Sequence, residues 1–147
     1  MIREVRAADA PHWAEMRHQL WPFETVDAHA DDVRAFFGGT RTHIATAFIS
    51  FNAEGKPDGF LEMSLRSVAE GCTSSPVPHV EGWFVHERSR GTGVGRALMQ
   101  AAENWARERG FAELTSDTEL ENERSLAAHL AIGFVEIERL IAFRKSL

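Results

Sequence analysis

Tyrosine is absent from the 147-residue chain and cysteine occurs once, as Cys72. A lone cysteine makes no internal disulfide and no thiolate zinc cluster, so it fits a reducing compartment and reads as a small buried apolar side chain. Long apolar runs are also missing. None approaches the roughly 18 residues that a membrane helix needs, and the opening MIREVRAADAPHW carries charge where a secretory leader has an apolar block. Positive charge is in deficit: 16 Lys and Arg against 22 Asp and Glu leave a net −6, which argues against a nucleic-acid partner and favours a cationic one. Seven histidines are present without an HExxH or HxH spacing, so no metal site is expected. The expectation is a cytoplasmic protein with no membrane partner.

What is there suits one compact domain over residues 1–147, 44% of them hydrophobic. IREV opens as a strand. Asp9 is placed to cap a helix with Pro11 in its first turn and Trp13, Met16 and Leu20 on one face, stopped by Pro22. A second helix is expected over Val26 to Phe37, ended by Gly38-Gly39. HIATAFISF and FLEMSLRSV flank a turn rich in Asn, Gly and Pro and read as a hairpin, and HVEGWFVHE as a third strand. Val94, Leu98, Ala101 and Trp105 mark one face of a long helix closed by Gly110. FAELTSD then reads as a strand, ENERSLAAHLAI as a helix ended by Gly133, and FVEIERLIAFRK as one or two closing strands. The order βααβββαβαβ predicts an α/β domain with a mixed sheet.

Between the third long strand and the long helix lies FVHERSRGTGVGRALM, with Gly91, Gly93 and Gly95 at alternate positions. Glycines there let backbone N–H groups approach an anion at a helix N-terminus, which points to a phosphate. A Walker loop needs GxxxxGK followed by Ser or Thr, and no such string exists. A dinucleotide fingerprint needs its third glycine one residue later and a place in the first βα unit. As a bare pattern GxGxG is also compatible with a plain structural turn.

The loop resembles the pyrophosphate loop of the GNAT superfamily of acetyltransferases, whose pattern of Arg or Gln, two residues, Gly, one residue, then Gly or Ala is filled by Arg90, Gly93 and Gly95. Asn122, Ser125, His129 and Gly133-Phe134 stand at the offsets of that family's last helix, with histidine where the family has tyrosine. The element order is similar as well, so the resemblance spans the chain. It implies a mixed, mostly antiparallel sheet with a splayed central strand pair flanked by helices. It also implies that acetyl-CoA is held by backbone groups of Trp83, Phe84 and Val85. The N–H groups over Arg90, Gly91, Thr92, Gly93, Val94, Gly95 and Arg96 would cradle the pyrophosphate, and Asn122 would touch the cofactor from the opposite side. Asn122 is equally suited to be a helix cap, and Trp83 to be core.

HQLWP, GCTSSPV, EGWFV, SDTELEN and AIGFVEIERLIAFRK together resemble a group of aminoglycoside 6′-N-acetyltransferases. By position, that likeness implies an acceptor site at Trp21, Glu24, Glu81, Asp117 and Glu138, with Glu24 where relatives can carry histidine. Carboxylates suit a polycationic sugar, through charge-assisted hydrogen bonds and steering. The acidic stretch SDTELENE otherwise reads as a solvated face. Glu81 is the first candidate for a base acting through water, Asp117 the second, and His129 the candidate acid in place of the missing tyrosine. Both carboxylates are also compatible with binding alone, and His129 with a plain helix-face role. Acetylation of another amine, or acyl-CoA binding without turnover, are the competing readings. Relatives that dimerise through the C-terminal strand region imply a homodimer.

Overall fold

The computed structural model describes all of residues 1–147. Five strands form one sheet in sequence order: β1 (Ile2–Glu4), β2 (Thr46–Phe51), β3 (Pro57–Arg66), β4 (Val77–Val85) and β5 (Thr115–Ser116). The first four pair antiparallel, and β5 lies parallel to β4. Helices α1 (Ala10–Leu20) and α2 (Val26–Phe37) follow β1, α3 (Val94–Glu108) links β4 to β5, and α4 (Glu123–Ala131) follows β5.

Strand alternation divides the core into two layers. Ile49, Phe60 and Phe84 meet Trp13 and Met16 of α1 and Val33 of α2 on one face. Phe48, Leu61, Met63 and Val80 meet Leu98, Met99, Ala102 and Trp105 of α3 on the other. The amphipathic stripe expected for α3 is therefore the stripe it buries. The second helix has the expected bounds, with the Thr25 hydroxyl accepting from the Ala28 N–H.

Several boundaries move. β3 starts at Pro57, inside the expected turn, because the Asn52 side chain folds that turn tightly by accepting from the Glu54 and Lys56 N–H groups. Asp9 stands at the α1 N-cap position, but its carboxylate accepts from Arg3 at 2.6 Å and from the Arg6 N–H at 2.7 Å instead of capping α1. The strand expected over FAELTSD shrinks to Thr115–Ser116. Glu113 is pinned outside it by Thr73 and Ser74, whose backbone N–H groups donate at 3.0 and 2.8 Å.

The closing strands expected in FVEIERLIAFRK do not form. Residues 134–147 run on without a sheet partner, and Val135, Leu140, Ile141 and Phe143 are all more than two-thirds exposed. The alternating pattern is intact, but the segment pairs with no strand, and the sheet ends at β5, which is only two residues long.

Candidate functional site

The site is built on β4. Its register with β3 slips between Glu62↔Gly82 and Met63↔Val80, so Glu81 is the extra residue of a bulge and is turned out of the ladder. β5 pairs with β4 only at His79↔Thr115 and Val80↔Ser116. From Glu81 to Val85, β4 keeps a neighbour on the β3 side alone, which is the splay expected of the central pair. Trp83 turns to the α3 layer, where its Nε1 donates to the Gly95 carbonyl at 3.0 Å, and Phe84 turns to the α1 layer.

Beyond β4 the glycine loop reaches α3. Gly91 and Gly93 have φ of 76° and 93°, the left-handed region that disfavours a side chain. Gly93 occupies the cap position without a side-chain cap, and the first helical bond runs from the Ala97 N–H to the Gly93 carbonyl at 3.0 Å. The N–H groups of Val94, Gly95 and Arg96 thus face out of a helix N-terminus with no carbonyl of α3 to meet. Thr92 braces the loop by donating to the Ser89 carbonyl at 2.6 Å. Arg90 is tied to the strand end, its Nε donating to the Val85 carbonyl at 2.9 Å, while Arg96 reaches the Ala131 carbonyl at 3.4 Å. An open cleft of about 730 Å³ at this end is lined by Gln19, Phe84, His86, Glu87, Arg88 and Arg90. Burial, and next the Arg88 charge, hold His86 below the ordinary histidine range.

Toward the other end of β4, carboxylates gather around Arg66. Glu81 accepts from the Ser64 hydroxyl at 2.5 Å and from Arg66 at 3.2 Å, and the same Arg66 nitrogen lies 4.0 Å from Asp117. His79 is 3.4 Å from Asp117 and, with Arg66 and His129, keeps that carboxyl below the usual range. The sequence-expected pair Glu81 and Asp117 is therefore one cluster. His79, Arg66 and Ser64 were not foreseen in it, since their spacing along the chain gives no motif.

Trp21 flanks the cluster against Gly82, where a Cβ would lie 2.7 Å from the indole; only glycine permits that approach. The indole is set from below by charge. Arg17 sits over its ring at 5.1 Å, and the His29 ring is stacked against it, with His29 Nε2 hydrogen-bonded to the Trp21 carbonyl at 3.0 Å. Arg17 in turn donates to buried Glu62 at 2.6 and 2.8 Å and to Asp32 at 2.8 Å. Glu24 comes 3.8 Å from His29 at the rim. Glu24, His29 and Asp32 hold ligand atoms within 4.8 Å of one another, but the Arg17 guanidinium already occupies the cation position among them.

Two expected residues are used locally. The Asn122 side-chain oxygen caps α4 by accepting from the Ser125 N–H at 3.0 Å. The His129 ring bonds on both sides, Nδ1 to the Ser125 carbonyl and Nε2 to the Ser116 hydroxyl, each at 2.7 Å. With the carbonyl accepting from Nδ1–H, Nε2 accepts and the mobile proton belongs to Ser116. Glu138 lies in the exposed C-terminal segment, outside the strands and helices.

Residues 13–134 match the acetyltransferase (GNAT) family. An aminoglycoside N(6′)-acetyltransferase type 1 of Klebsiella aerogenes is 42% identical over 100% of this chain and 97% of its own length. The chain belongs to the GNAT acetyltransferases. Another relative of that description, from Salmonella typhimurium, is 39% identical over 98% of this chain and 97% of its own. Among solved GNAT structures, AAC(6′)-Iy in complex with the bisubstrate analog CoA-S-monomethyl-acetylneamine superposes with a TM-score of 0.89 at 38% identity, covering 100% of this chain and 98% of that one. The splayed pair and the glycine loop are accordingly the fold of this family, in the positions that the sequence implied.

Proposed function

We propose that the chain transfers the acetyl group of acetyl-CoA to the 6′-amine of aminoglycosides. The observation that carries this reading is that a single strand, β4, presents a free backbone edge and an anion-ready loop at one end and a carboxylate cluster at the other. Its full-length relatives bear the name of that activity.

The residues fit acetyl-CoA. Gly91 and Gly93 leave the loop surface open, with no atom within 4 Å of an added Cβ, so the N–H groups of Val94, Gly95 and Arg96 can hold a pyrophosphate with Arg90 beside them. The free edge at Trp83, Phe84 and Val85 suits an amide-bearing arm, and Asn122 closes the far side. Bound acetyl-CoA supplies an activated thioester. In the transfer a C–N bond forms and the C–S bond breaks, so the chain has to take one proton and return another.

Glu81 takes the ammonium proton through water. Its Oε1 is held by Ser64 and Arg66, which leaves Oε2 for the cleft. Asp117 binds a substrate ammonium, and Glu24 does so at the rim. Trp21 offers an aromatic face to a sugar ring or ammonium. For the departing thiolate, the proton released from the amine goes to His129 Nε2; the imidazolium then passes it to Ser116 Oγ as that hydroxyl gives its own proton to the sulfur. A cytoplasmic location accompanies acetyl-CoA use and the unpaired cysteine.

The active form is a homodimer. Val135, Ile137, Leu140, Ile141 and Phe143 are exposed in an extended arm, and α4 buries no residue fully. A second copy would cover these side chains, and Glu138 on the same segment is the further carboxylate that the family likeness assigns to the acceptor site. Phe143→Asp should convert a dimer to a monomer in sedimentation equilibrium; an unchanged mass would refute the arm as interface. The function itself is tested by thiol release from acetyl-CoA. Kanamycin should be turned over far faster than polyamines or peptide amines, and a preference for the latter would overturn the assignment.

A further inference from the structure

We infer that His79 is a positioning residue of the acceptor cleft: gripped by Thr115, it orients Asp117 and governs how much of that carboxylate's charge a cationic substrate meets. The substrate class rests on the aminoglycoside reading; the coupling of the two side chains does not.

His79 is 3% exposed, in the middle of the face shared by β3 and β4, opposite Ser64 on one side and Thr115 on the other. Its Nδ1 is 2.8 Å from the Thr115 hydroxyl, which lies 3.3 Å from the Pro78 carbonyl. When that hydroxyl donates to Pro78, its oxygen accepts from Nδ1–H. Nε2 of the neutral ring is then a bare lone pair, buried and without a hydrogen-bond partner. It points at Asp117 Oδ2 across 3.4 Å.

Two electron-rich atoms facing one another hold nothing in place. A proton on Nε2 turns the same contact into a charge-assisted hydrogen bond. The ring's protonation state therefore decides whether Asp117 is paired from within the protein or left to the solvent, toward which its side chain is 73% exposed. Arg66 on β3 is no substitute, because it stands 4.0 Å from Asp117 and is shared with Glu81 of the bulge. His129 of α4 also acts on Asp117 through its charge, while Glu62 and its partner Arg17 lie farther along the same face.

A protonated His79 competes with a substrate ammonium for Asp117, and a neutral one releases the carboxylate. The KM for kanamycin, followed across a pH series, should then fall roughly fivefold between the protonated and the neutral state of the contact. His79→Gln keeps an amide donor but cannot titrate, so this step should flatten while acetyl-CoA KM and kcat stay near wild type. A wild-type pH dependence in His79→Gln, or an effect confined to acetyl-CoA KM or to thermal stability, would overturn the proposal. A readout independent of activity uses long-range 1H–15N spectra of the unliganded protein at pH 6.5. Asp117→Asn should move the His79 Nε2 resonance toward the unprotonated position and leave the other histidines, His129 aside, in place. An unmoved His79 resonance would refute the coupling. Failure of wild type to acetylate kanamycin at all would instead remove the substrate reading and leave this spectroscopic test standing.

Discussion

Glu62 is wholly buried beneath the Trp21 platform, and replacing it with glutamine exposes the electrostatics of that platform. It accepts from Arg17 at 2.6 and 2.8 Å and from the Trp13 indole N–H at 3.1 Å. Even so, burial outweighs Arg17 and Trp13 and pushes its carboxyl from 4.5 up to about 7. The folded protein thus keeps a proton that the unfolded chain gives up earlier. The stability linked to this group is fully present below pH 4.5 and is lost as pH rises through about 7. The interval corresponds to about 3 kcal/mol, of which about 2 kcal/mol falls between pH 5 and pH 8. Glutamine keeps an acceptor for Trp13 and does not titrate. Urea unfolding of both proteins at pH 5, 6, 7 and 8 isolates Glu62, because the other titrating groups cancel in the difference. The wild type should lose about 2 kcal/mol relative to Glu62→Gln over that range. A difference that stays constant with pH would refute the reasoning.

Two further substitutions separate cofactor binding from chemistry. Gly93→Asp places a side chain at φ 93° and a negative charge at the α3 N-terminus, so acetyl-CoA KM should rise roughly tenfold or more with kanamycin KM little changed; initial-rate kinetics in both substrates check it. His129→Phe removes the acceptor that orients the Ser116 hydroxyl at 2.7 Å, and should lower kcat by roughly tenfold at near-constant KM, read in the same assay.

The features legible in the sequence are those with a local physical cause. The glycine loop followed from residues that tolerate φ > 0, and the α3 stripe from helical periodicity, and both stand where expected. Glu81 and Asp117 could be placed near one another only through the family likeness, since 36 residues separate them in the chain. Arg66, Ser64 and His79 were invisible for the same reason: β3, β4 and β5 bring them together by register, and no spacing within one segment records it. The closing strands failed for a different cause. Alternation at Val135 and Ile137 states that a strand is possible, whereas pairing also needs a long partner strand in register, and the last strand of the sheet, β5, has two residues. Asp9 shows a third kind of miss, a capping residue whose carboxylate is taken by Arg3, a partner that the capping rule ignores.

Mapping the acetylated position by NMR, after turnover of kanamycin and of its 6′-hydroxyl analogue under identical conditions, tests the central claim most directly. The account predicts a single product acetylated on the 6′-nitrogen of kanamycin and no comparable turnover of the analogue. Acetylation at position 3 or 2′, or equal turnover of both compounds, would contradict it.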